Sequence, residues 1–175
     1  MTVPKPVVFL DIDGVLCTIR ACVATGDKGG LKYLDPIAVK CFERILESVN
    51  AQYVVSSSWR IIHPDIPAIL KCVGLHGEPF YPDDWKLGTK KYKDSREFYY
   101  TPRHEKQFRG HEVDMWLDRY GKRPYIILDD ESDFTDYQKK HHLIKTDEMN
   151  GILFEHMEEA IDNLKKQVEN WKNDS

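Results

Sequence analysis

The sequence predicts an α/β fold of three layers, a parallel sheet covered by helices on both faces. Two observations carry that expectation. Val7-Val8-Phe9-Leu10 and Tyr125-Ile126-Ile127-Leu128 are continuous apolar runs with little alternation, the pattern of central strands buried on both sides. Between and after the strand-like runs, apolar residues recur at helical spacing, and strands alternating with helices define this architecture.

The elements are taken in chain order. The first run leads straight into acidic residues, and residues 17–34 then form a turn-rich insertion around Thr25-Gly26-Asp27-Lys28-Gly29-Gly30. Asp35-Pro36 is an N-cap followed by proline at the first helical position, with Ala38, Cys41, Phe42, Ile45 and Val49 as the buried stripe. Tyr53-Val54-Val55 is a second strand. Pro64 to Val73 reads as a shorter helix, broken early by Pro67, with Gly74 placed to stop it. Residues 76–108 hold few aliphatics but many aromatics and bases. Val113, Trp116, Leu117 and Tyr120 recur at i, i+3, i+4 and i+7, and Gly121 closes that helix. Leu143-Ile144 is a weaker fourth strand. Glu155 to Trp171 is a charged final helix that buries Met157, Ala160, Ile161, Leu164 and Val168. The expected organisation is one domain over residues 1–175 with insertions at 17–34 and 76–108. Long irregular segments within a compact domain are usually lids or binding loops.

Composition narrows the class. The chain has 175 residues, 41% apolar and 31% charged, ordinary for a soluble domain with one substantial core. A net charge of −4 exerts no global pull on nucleic acid or anionic membrane, so nucleic-acid contact needs a local basic patch. No apolar run approaches the roughly 20 residues of a membrane span, and nothing resembles a secretory signal. Cys17, Cys22, Cys41 and Cys72 show no metal-ligand spacing. They are expected to be reduced, mostly buried thiols of a cytoplasmic protein without a zinc site.

Four segments carry chemistry. Asp11 and Asp13 stand just past the first strand, followed by Gly14; open α/β sheets bind their ligands at such strand ends. Two carboxylates this close resist joint ionisation. A hard divalent cation relieves that, and oxygen ligands suit Mg²⁺. Gly14 permits a sharp turn. Ser56-Ser57-Ser58-Trp59-Arg60 follows the second strand. Its hydroxyls could hold a phosphoryl oxygen with Arg60 adding charge, or simply cap a helix. Asp129-Asp130-Glu131 follows the third strand and could complete a carboxylate cluster, or be a bare acidic turn. Arg109-Gly110 opens the third helix; Arg109 is either a surface cation or one that neutralises a transferring phosphoryl group.

Taken in this order the four resemble the haloacid dehalogenase (HAD) superfamily, over roughly residues 6–153. That family's signature is a strand with Asp-x-Asp, a strand ending in Ser or Thr, a Lys or Arg, and a strand ending in acids. Phe-Leu-Asp-Ile-Asp-Gly-Val-Leu, Val-Ser-Ser-Ser-Trp-Arg, Arg-Gly-His-Glu-Val-x₂-Trp-Leu and Ile-Leu-Asp-Asp-Glu-Ser-Asp look more specifically like the HAD domain of Swiss-army-knife RNA-repair proteins. Thr146-Asp147 and Gly151-Ile152 look like its closing strand. The resemblance implies a Rossmann-like core and a phosphatase in which Asp11 attacks phosphorus to form an aspartyl-phosphate and Asp13 is acid and then base. It implies Mg²⁺ held by Asp11, the Asp13 backbone carbonyl and Asp130, with Asp129 the alternative in register. Ser56 or Ser57, with Arg109, would hold the phosphoryl oxygens.

Substrate choice in the family rests on cap elements. The first insertion is too short for a large helical cap, so an open site is expected. The second interleaves Lys86, Lys90, Lys91, Lys93, Arg96, Arg103 and Lys106 with Trp85, Tyr92, Phe98, Tyr99 and Tyr100. Cations among aromatic faces suit phosphates and stacked bases. Lys90, Lys91, Lys93, Tyr99, Tyr100 and Arg60 are therefore candidate contacts to a nucleotide or nucleic-acid end, with a solvated loop anchored by aromatics as the plainer account. A small sugar or metabolite phosphatase and an inactive binding domain are the alternatives. No membrane contact and no protein partner are implied.

Overall fold

The computed structural model describes residues 2–26, 34–63, 65–80 and 109–173. Four parallel strands, β1 (Val7–Leu10), β2 (Gln52–Val55), β3 (Tyr125–Asp129) and β4 (Leu143–Lys145), form one sheet in the order β2-β1-β3-β4. The two continuous apolar runs are its central strands, buried along their whole length.

Alternate residues feed two cores. Val8 and Leu10 of β1, Val55 of β2 and Leu128 of β3 face a largely aliphatic cluster. It is closed by α2 (Pro36–Val49), α4 (Ile66–Cys72) and α7 (Phe154–Asn173), through Phe42, Leu70 and Leu164. Val7, Phe9, Val54 and Ile127 face a smaller cluster rich in rings, covered by Val113, Trp116 and Leu117 of α5 (Arg109–Tyr120). There the Phe9 and Trp116 rings meet edge to face, centroids 5.3 Å apart. This is the expected three-layer arrangement.

Helix ends follow from local chemistry. Asp35 caps α2, accepting from the N–H groups of Ile37 and Ala38. The reading of residues 64–73 needs correction. Pro67 does not break the helix, because α4 starts at Ile66 and places Pro67 in the first turn, where a missing N–H costs nothing. Three short helices were not legible as apolar stripes. They are α1 (Ile19–Thr25), capped by Thr18 within the first insertion, α3 (Trp59–Ile62), and α6 (Asp136–His141) with a Thr135–Gln138 capping box. All four cysteines are free, but Cys17, Cys22 and Cys41 are half-buried and Cys72 is exposed, so they are less buried than expected. No helix among the described residues is long and apolar enough to cross a membrane.

Candidate active site

Parallel register brings the carboxyl ends of the strands to one edge. Leu10 lies level with Val55 on one side and Leu128 on the other. The pairing runs one step further: Asp11 N–H donates to the Leu128 carbonyl at 3.0 Å, Ser56 N–H to that of Leu10 at 2.9 Å, and Thr146 N–H to that of Asp129 at 3.0 Å. Backbone ladders thus position Asp11, Ser56, Asp129 and Thr146 side by side.

Carboxylate oxygens of Asp11, Asp129 and Asp130 lie within 4.8 Å of one another. Arg109, from the first turn of α5, reaches into this group and meets Asp11 Oδ2 at 3.0 Å and Asp129 Oδ2 at 2.5 Å. Burial opposes the Arg109 charge, but the two carboxylates outweigh it and hold the guanidinium firmly protonated. Burial first, and then the Asp11 charge, push both Asp129 and Asp130 up from the usual carboxylate range. An all-oxygen donor set of clustered acids fits Mg²⁺, whose charge would reverse those shifts. Both Asp129 oxygens already accept hydrogen bonds, Oδ2 from Arg109 and Oδ1 from Glu131 N–H at 2.9 Å. Asp130 packs against the Cα of Gly14, where an added Cβ would overlap its carboxylate. Gly14 has φ +67°, and its carbonyl accepts from the Thr146 hydroxyl at 2.7 Å.

Asp13 points elsewhere. Its carboxylate is exposed, is not one of the clustered three, and accepts from the Trp59 indole N–H at 2.9 Å. Its backbone carbonyl therefore remains the group that could serve a metal. Burial raises the Asp13 carboxyl, the Trp59 bond opposes the rise, and the Asp11 charge adds to it.

The segment after β2 divides its polar groups. Ser56 is fully buried, and its hydroxyl has no hydrogen-bond partner among the described residues. The Ser57 hydroxyl accepts from Trp59 N–H at 3.2 Å. Arg60, a candidate substrate contact, is engaged within the fold. Its guanidinium is buried, donates to the Ser56 and Ser57 carbonyls, and pairs with Glu112 Oε2 of α5 at 2.6 Å. Lys90, Lys91, Lys93, Tyr99 and Tyr100 lie outside the described residues.

The start of α5 is tied down from the other side. Arg109 N–H donates to Asp133 Oδ2 at 3.4 Å, and Gly110 N–H to the Asp133 carbonyl at 3.2 Å. Gln138 donates to the Gly110 carbonyl at 3.0 Å and to Asp114 Oδ1 at 2.8 Å, while its oxygen accepts from Thr135 N–H. A side chain at Gly110 would collide with Gln138. Sequence reasoning missed Trp59, Glu112, Thr146 and Gln138 as supports of the site. They lie far along the chain from what they hold, and no spacing signals such contacts.

The model for the HAD domain in Swiss Army Knife RNA repair proteins matches residues 7–157, from the first residue of β1 into α7. No curated protein and no solved structure matches the chain. The matched span takes in all four strands and every residue of the carboxylate and arginine cluster. HAD domains are generally hydrolases, and the protein belongs to this family, the HAD domains of Swiss Army Knife RNA repair proteins.

Proposed function

We propose that the protein is a Mg²⁺-dependent phosphomonoesterase that acts through an aspartyl-phosphate on Asp11, with a nucleotide or a nucleic-acid terminal phosphate as substrate. The observation that carries this reading is the placement of Asp11 between Arg109 at 3.0 Å and the Asp129–Asp130 carboxylates. An Asp11 oxygen attacks phosphorus, and the ester P–O bond breaks as Asp13 gives its proton to the leaving oxygen. Water then attacks the same phosphorus, Asp13 takes its proton, and phosphate departs from a regenerated Asp11. Asp11, Asp130 and the Asp13 carbonyl would hold Mg²⁺, which when bound would neutralise charge on the phosphoryl oxygens. The engaged oxygens of Asp129 favour Asp130 as the direct ligand. Arg109 orients the phosphoryl group, and the buried Ser56 hydroxyl, without a partner among the described residues, is suited to donate to one of its oxygens.

The family match and the basic, aromatic sequence between Trp85 and Lys106 support a nucleic-acid end over a metabolite phosphate. The test is phosphate release from 5′- and 3′-phosphorylated oligonucleotides, nucleoside monophosphates and sugar phosphates, with Mg²⁺ or with EDTA. Oligonucleotide ends should be preferred, EDTA should stop turnover, and salt should weaken oligonucleotide binding more than mononucleotide binding. Full turnover in EDTA would overturn the mechanism, and preference for a sugar phosphate would overturn the substrate.

A further inference from the structure

We propose that Trp59 is the positioning residue of the acid–base group: its indole N–H holds one oxygen of Asp13, so that the other exchanges protons with the leaving group and with water. This rests on the role given to Asp13 above. Asp13 is exposed and projects from a tight turn in which the N–H groups of Leu16 and Cys17 bond to the Ile12 carbonyl at 2.9 and 2.8 Å. An exposed carboxylate left to itself samples several rotamers, whereas proton transfer demands a fixed geometry.

Trp59 is a donor already in place. Its backbone N–H is held by Ser57 Oγ, its ring leans on His63 with centroids 4.7 Å apart, and it packs against the aliphatic core. From there Nε1 reaches Asp13 Oδ2 at 2.9 Å, across 46 residues of sequence. An indole can donate but never accept, so it occupies a lone pair of Oδ2 and leaves Oδ1 to carry the transferable proton. The two strand-end segments are thereby joined, one carrying the acid and the other its holder.

The test compares leaving groups. A nucleoside monophosphate expels an alkoxide and needs the acid; p-nitrophenyl phosphate expels a stable phenolate and needs it little. For Trp59→Phe, kcat/KM on the nucleotide should fall by about tenfold or more, part of the roughly 10²–10⁴-fold that general acid–base catalysis supplies, and on p-nitrophenyl phosphate by a clearly smaller factor. KM should change little. Replacing Trp59 with its benzothiophene analogue, which keeps the ring and deletes only the N–H, should reproduce the difference if Trp59→Phe folds poorly. In the wild type, the Trp59 indole resonance should shift on Asp13→Ala. Equal losses on both substrates, no loss, or an unmoved resonance would overturn this proposal alone. A wild type inert toward phosphomonoesters, or Asp13→Asn at the wild-type rate, would overturn the underlying reading and this proposal with it.

Discussion

The segments after β1 and β2 start level in the sheet and use their polar residues in opposite ways. After β1, Asp11 and Asp13 point to different partners, one to Arg109 and the other to Trp59, and both carboxylates are available for chemistry. After β2, Arg60 turns inward and its charge is absorbed by Glu112 and two carbonyls. One segment presents reactive groups and the other braces them. Charge in a sequence motif is therefore no guide to role until its partners are known: Arg60 is paired with Glu112, whereas Asp13 accepts from the Trp59 indole.

The sharpest way to break this contrast is to remove one charge from each segment. Asp11→Asn should abolish turnover while thermal unfolding stays close to wild type, because an amide cannot attack phosphorus. Arg60→Met should instead lower stability by up to about 3–5 kcal/mol, since it removes one counter-charge from buried Glu112. Adding Glu112→Met should recover much of that stability in urea titrations. If Arg60→Met unfolds like wild type, Arg60 is not the brace.

Gly14 offers a finer probe within the first segment. Gly14→Ala forces a Cβ into a left-handed backbone and onto the Asp130 carboxylate. The Mg²⁺ concentration for half-maximal activity should rise by roughly tenfold or more, the scale on which ligand-orienting contacts act. An unchanged Mg²⁺ dependence would remove Asp130 from the metal site.

The smallest effect tests the opposite end of the sheet. Buried His142 stacks on Tyr125 at the start of β3, and burial lowers its pKa from 6.5. Below that value the unfolded imidazole takes up a proton before the folded one, so stability falls with pH until the folded imidazole titrates as well. His142→Phe should flatten the loss of melting temperature as pH falls through 6.5. An equally steep loss in the variant would assign the acid sensitivity to other groups.

The sheet was legible because β1 and β3 are buried on both faces and therefore uninterrupted in their apolar character. Asp11, Asp13 and Asp130 were legible because strand-end acids are local signals. The Trp59–Asp13 bond, the Arg60–Glu112 pair and the Thr146–Gly14 bond were not, since each joins elements brought together only by the sheet order. Short helices such as α6 escaped because a capping box defines them better than an apolar stripe does.

The docking of Gly110 onto Gln138 and Asp133 couples α5 to the loop after β3. Arg109 takes its position from residues on its C-terminal side, through the loop after β3 and the cap of α6, and the described contacts that fix its backbone all come from there. A change at Asp133 or Gln138 should therefore reach Asp11 through Arg109, although neither residue touches that carboxylate.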